Sequence, residues 1–124
     1  VGFVEHMSAI VKDAFLSTLE EITFSDMLLL IIDITEEDLN KIAKKINTTT
    51  SIIDDIGVNY LPSLYVFNKI DKLSPSELEE RIEFIIERYP SINFVAISAL
   101  NNENINELKE ELVKFKNECR RRIK

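Results

Sequence analysis

Apolar residues recur along this chain with two alternating periods. From about Ser8 to Thr23, Ile10, Val11, Ala14, Phe15, Leu19 and Ile22 fall three or four apart, which puts them on one face of a helix. The next run, "DMLLLIIDIT", is apolar without a break until Asp33 and predicts a strand at about Met27 to Ile34. Such a run suits a parallel strand covered on both faces. Helical spacing returns from Glu36 to Ile56 through Leu39, Ile42, Ile46, Ile53 and Ile56. The Asn47-Thr48-Thr49-Thr50 stretch weakens propensity there, and Gly57 is placed to end the helix. "SLYVFN" is a second strand pattern. Ser74 followed by Pro75 supplies a hydroxyl cap and a first-turn proline for a helix carrying Leu78, Ile82, Ile85 and Tyr89, with Pro90 after it. "INFVAIS" predicts the third strand. Asn104 with Glu107 resembles a capping box for a last helix through Ile105, Leu108, Leu112, Phe115 and Cys119.

The order is helix, then strand–helix three times over. It predicts an α/β fold with a three-stranded parallel sheet, flanking helices and right-handed crossovers. A length of 124 residues suits one domain, and 45% hydrophobic with 30% charged residues reads as globular and soluble. The apolar run from Met27 to Ile32 is far too short to span a bilayer, and the chain does not open on a secretory leader. A single cysteine, Cys119, rules out an internal disulfide framework and fits a reducing compartment, so a cytoplasmic protein without membrane partners is expected. The net charge of −7 argues against a surface that coats nucleic acid. The basic end, "RRRIK", is read as cations favoured by a helix C-terminus in preference to a contact with RNA.

Ligands of parallel sheets sit beyond the carboxyl ends of the strands. Three polar groups fall there: Asp33, "NKID" at residues 68–71, and "SAL" at residues 98–100. An ionised Asp71 is acceptor-only, with two oxygens side by side. Guanine offers two neighbouring donors, its ring N1–H and its exocyclic amine, whereas adenine has an acceptor at the corresponding ring nitrogen. Lys69 can lay its methylene stem along the base, Asn68 can brace the loops, and N–H groups near Ser98 and Ala99 can meet the guanine carbonyl. An Asn or Asp at a strand end is commonly a turn former. The recurrence of a matching motif at the end of the next strand outweighs that reading. Asp33 is expected to be structural or supporting, His6 exposed and unpaired, and Cys119 part of the core.

"NKID" and "SAL" resemble the fourth and fifth motifs of translation-factor-class GTPases. "VGF", "AFLSTLEE" and "SDMLLLIIDIT" at the start of the chain resemble the HflX family of ribosome-associated GTPases, in which D-T-V-G-F is followed by a helix with A-F-x-S-T-L-E-E and then A-D-L-L-L-x-V-V-D-A-S. The resemblance covers essentially the whole chain. It implies the C-terminal half of a Ras-like P-loop GTPase domain, GTP or GDP as ligand, Mg²⁺ as cofactor and the large ribosomal subunit as partner. It also implies that Gly2 meets the γ-phosphate and that residues 3–7 form the second switch. Phe3 stands where many other GTPases carry the glutamine that orients water, so slow intrinsic turnover stimulated by a large partner is implied.

With two glycines, Gly2 and Gly57, the chain contains no G-x-x-x-x-G-K-[ST] loop. It begins inside the third motif. Residues 1–124 are therefore expected to be a partial G domain holding the third, fourth and fifth motifs, inactive alone, with no metal ligands of its own and with the magnesium ligands upstream of Val1. A GTPase of the Era or Obg type, or an interaction module with a degenerate site, remain alternatives. Loss of the neighbouring strand would expose the edge of the Met27–Ile32 strand, so self-association is expected.

Overall fold

The computed structural model describes residues 25–123, with side chains through residue 117. The elements run β1 (Leu28–Asp33), α1 (Leu39–Ile56), β2 (Ser63–Asn68), a 3₁₀ turn (Ile70–Lys72), α2 (Pro75–Arg88), β3 (Phe94–Ala96) and α3 (Ile105–Ile123). The sheet order is β1-β2-β3, and both pairings are parallel. Leu28 aligns with Ser63 and Asp33 with Asn68, so β1 and β2 end level with each other. The expected α/β sheet is present. The helix predicted at Ser8 to Thr23 lies outside the described residues.

Alternation along the strands divides the core into two faces. Leu30, Ile32, Tyr65, Phe67, Phe94 and Ala96 look toward α1 and α2, packing with Ile42, Ile46, Leu78, Ile82 and Ile85. Phe67 is fully buried at the centre of this face, edge-on to Phe94 with ring centroids 5.7 Å apart. Leu64, Val66, Val95 and Ile97 look the other way, against Ile105, Leu108 and Phe115 of α3. The expectation that β1 is covered on both faces holds for one face only: Leu29 and Ile31 are 41% and 67% exposed.

Local chemistry explains the helix ends. Asp38 caps α1 by accepting from Asn40 N at 2.9 Å, so the helix starts at Leu39, later than Glu36. Thr49 and Thr50 do not break it, because each hydroxyl donates to the carbonyl four residues back, Lys45 O at 2.8 Å and Ile46 O at 3.0 Å. Gly57 closes it in the left-handed region at φ 84°, where a β-carbon would be strained. Ser74 and Glu77 form a full capping box at the start of α2, and Tyr89 is the residue that ends that helix. The Asn104–Glu107 box expected for α3 does not form. Asn104 adopts φ 59° in place of the extended cap conformation, and its side-chain amide donates to Ala96 O at 2.9 Å.

Candidate functional site

All three strands leave the sheet along the same edge, and the residues singled out from the sequence converge there. β2 turns sharply after Asn68: Lys69 has left-handed backbone angles (φ 76°, ψ 32°) and leads directly into the 3₁₀ turn. That conformation costs a lysine roughly 1–2 kcal/mol, so neighbouring contacts must hold it. Asn68 Oδ1 accepts from Lys69 N at 2.8 Å, and Lys69 O accepts from Lys72 N at 3.1 Å. The buried Ile70 donates its N–H to Ile97 O at 3.2 Å, tying the loop to the end of the β3 side.

Ser98 is fully buried. Its N–H donates to Glu103 O at 3.2 Å and its carbonyl accepts from Glu103 N at 2.9 Å, which closes the loop between them. Asn102 (φ 56°) and Asn104 (φ 59°) bend that loop through the left-handed region, which asparagine tolerates better than most residues. Two hydrogen bonds then join the two motifs. Ser98 Oγ donates to Asp71 Oδ1 at 2.7 Å, and Ala99 N donates to Asn68 Oδ1 at 3.0 Å. Ser98 Oγ also accepts from Asn101 N at 3.0 Å, so the hydroxyl proton is directed at Asp71.

The first strand contributes a charge. Asp33 Oδ1 accepts from Thr35 N at 2.8 Å and Thr35 Oγ1 at 2.6 Å, while Oδ2 lies 2.9 Å from Lys69 Nζ. Burial pushes this carboxyl up, but the Thr35 hydroxyl and amide and the Lys69 ammonium outweigh it and bring the pKa down to about 2. Asp33 is thus an anion at neutral pH, bound to the middle motif.

Asn68, Lys69, Asp71, Ser98 and Ala99 are therefore one cluster. Within it, the N–H groups of Ser98 and Ala99 donate to Glu103 O and Asn68 Oδ1. The Leu100 N–H makes no hydrogen bond among the described residues, and Leu100, next to Ala99 in the chain, is 82% exposed. Sequence reasoning passed over Leu100 although it is the third residue of "SAL". Gly2, Phe3 and His6 lie outside the described residues, as does the side chain of Cys119.

No group of three or more His, Cys, Asp or Glu side chains converges among the described residues. No helix among the described residues is long and apolar enough to cross a membrane.

No protein-family profile matches the chain. In sequence it is 32% identical over 117 residues to the GTPase HflX of Methanocaldococcus jannaschii, covering 94% of this chain and 28% of that protein. It is 31% identical over 115 residues to the GTPase HflX of Thermofilum pendens, covering 93% of this chain and 26% of that one. This chain thus spans less than a third of the length of these curated relatives. In structure it matches the complex of SsGBP with GDP at a TM-score of 0.77 and 28% identity, over 87% of this chain and 34% of that one. It matches a GTP-binding protein from Sulfolobus solfataricus in complex with GDP at 0.69 and 32%, over 85% of this chain and 35% of that one. Era, in complex with MgGDPNP and nucleotides of 16S ribosomal RNA, matches at 0.64 and 23% over 86% of this chain and 34% of that one, a likeness of fold alone. The three-stranded parallel sheet and its helices are laid out as in P-loop GTPase domains.

Proposed function

For a chain that is HflX-like over nearly its whole length, we propose that it is the guanine-recognising part of a GTPase. The observation that carries this reading is the pair of hydrogen bonds joining the two motifs, Ser98 Oγ to Asp71 Oδ1 and Ala99 N to Asn68 Oδ1. The first orients the Asp71 carboxylate through a neutral hydroxyl, and its remaining lone pairs accept from guanine N1–H and the exocyclic amine. The second fixes Asn68 through its oxygen and leaves the Nδ2 amide as a donor to a purine ring nitrogen. Lys69 supplies a methylene surface to one side of the base. Leu100 supplies an N–H for the guanine carbonyl and an exposed apolar side chain.

The proposal extends to the rest of the protein. The phosphate loop and the magnesium ligands lie upstream of Val1, residues 1–124 form a partial G domain, and this chain alone does not hydrolyse GTP. Gly2 meets the γ-phosphate, and Phe3 cannot orient water by hydrogen bonding, so turnover depends on a partner. That partner is the large ribosomal subunit, a reading supported by the HflX likeness, and the protein is cytoplasmic.

Nucleotide competition on the full-length protein tests the base site. GDP should bind far more tightly than ADP. Inosine diphosphate, which lacks the exocyclic amine, should bind about tenfold more weakly than GDP, the loss of one hydrogen bond to a charged acceptor. Equal affinities for GDP and inosine diphosphate would remove Asp71 from the base.

A further inference from the structure

We propose that Asp33 is a positioning residue that holds Lys69 in place as the floor of the base site. The inference rests on the guanine reading above and extends it to the first strand. Asp33 and Asn68 are register partners at the ends of β1 and β2, so the sheet itself sets the distance between Asp33 and the residue after Asn68. Lys69 leaves β2 in a left-handed turn, and its ammonium reaches Asp33 Oδ2 at 2.9 Å. The methylene stem therefore spans from the end of β2 to the end of β1.

A lysine side chain free in solvent samples many rotamers, and ordering it against a ligand costs conformational entropy. Anchoring the ammonium beforehand removes part of that cost from the binding step. The anchor is itself fixed. Thr35 N and Thr35 Oγ1 both donate to Asp33 Oδ1, which turns the other oxygen toward Lys69. The two carboxylate oxygens thus have separate tasks, one holding the carboxylate and one holding the lysine. A stem that packs against a base face does not distinguish among the edges of different purines, so the effect of Asp33 is on affinity and leaves base preference alone.

The test is made in the full-length protein with fluorescent GDP, and by competition with inosine diphosphate. Asp33→Asn keeps the acceptor for Thr35 but turns an amide toward the ammonium. It should weaken both nucleotides by the same factor, about two- to fivefold, the range an exposed ion pair supports. In a Lys69→Met background, Asp33→Asn should have no further effect. Lys69→Met alone, at a half-exposed position, should lose at least as much as Asp33→Asn and supplies the test if that variant does not fold. An Asp33→Asn loss that persists in the Lys69→Met background would overturn the proposal. So would an Asp33→Asn protein with unchanged affinity, or a Lys69→Met protein with unchanged affinity. Failure of the guanine reading shows differently, as equal affinities for GDP and inosine diphosphate in the unmodified protein.

Discussion

β1 and β2 carry similar sequences, LLLIID and SLYVFN, yet they end in different surroundings. β2 has a strand on either side and helices on both faces, and Leu64, Tyr65, Val66 and Phe67 are all buried. β1 pairs with β2 alone among the described residues, and Leu29 and Ile31 stay exposed on the face that α3 covers farther along the sheet. An unbroken apolar run thus states what a strand is suited to, while its neighbours decide whether it is met. The loops follow the same division. Those after β2 and β3 lock onto each other through Asp71, Ser98, Asn68 and Ala99, whereas the end of β1 joins the β2 loop through the ion pair of Asp33 with Lys69 and the Ile34 N–H donated to Asn68 O at 3.1 Å.

The largest effect that tests this contrast lies under the site. Phe67→Ala removes a fully buried ring one residue before Asn68, and should cost about 3–5 kcal/mol of stability in urea unfolding. A loss below about 1 kcal/mol would mean that the β2 side is not the rigid half.

The Asp33 carboxyl gives a smaller effect with a definite sign. Its pKa falls from 3.8 to about 2 on folding, so its contribution is complete above about pH 4 and disappears as the pH drops toward 2. Because the side chain is 34% exposed, solvent screening reduces that contribution to about 1 kcal/mol. The stability difference between the unmodified protein and Asp33→Asn should therefore shrink over that interval. A difference that stays constant from pH 6 to pH 2.5 would contradict the assignment.

The smallest effect on stability is expected at the β1 edge. From sequence alone, a lysine at Leu29 or Ile31 carries a cost of a few kcal/mol if the side chain is core. At 67% exposure, Ile31→Lys should change stability by no more than about 0.5 kcal/mol. It should also reduce self-association of residues 1–124 in light scattering across a concentration series, since a charge blunts an apolar edge. A monomer at all concentrations without the substitution would show that this edge is not adhesive.

Much of this arrangement was legible in the sequence. The extent of β2, the capping of α2 by Ser74 and the closure of α1 by Gly57 follow from residue chemistry acting within a few positions. The convergence of "NKID" and "SAL" follows from parallel strands ending on one edge. What could not be read depends on partners distant in the chain. Asn104 sits in the left-handed region at φ 59° with its amide donated to Ala96 O, and the Ala99 N–H is taken by Asn68. The link from Asp33 to Lys69 requires the register of β1 against β2, which no local pattern encodes. Leu100 has no periodic signal at all, and its exposure at the tip of a closed loop is what marks it.

The central claim is that Asp71, oriented by Ser98, reads the donor edge of guanine, and Asp71→Asn in the full-length protein tests it most directly. The substitution replaces a charged double acceptor with an amide that carries a donor, and should weaken GTP and GDP binding by about 2–4 kcal/mol. It should also shift preference toward xanthosine nucleotides, whose additional carbonyl accepts from that amide. The measurement is competition of GDP against xanthosine diphosphate on both proteins. The account predicts that the order of affinities reverses between them; an unchanged GDP affinity, or a loss with no gain for xanthosine diphosphate, would contradict it.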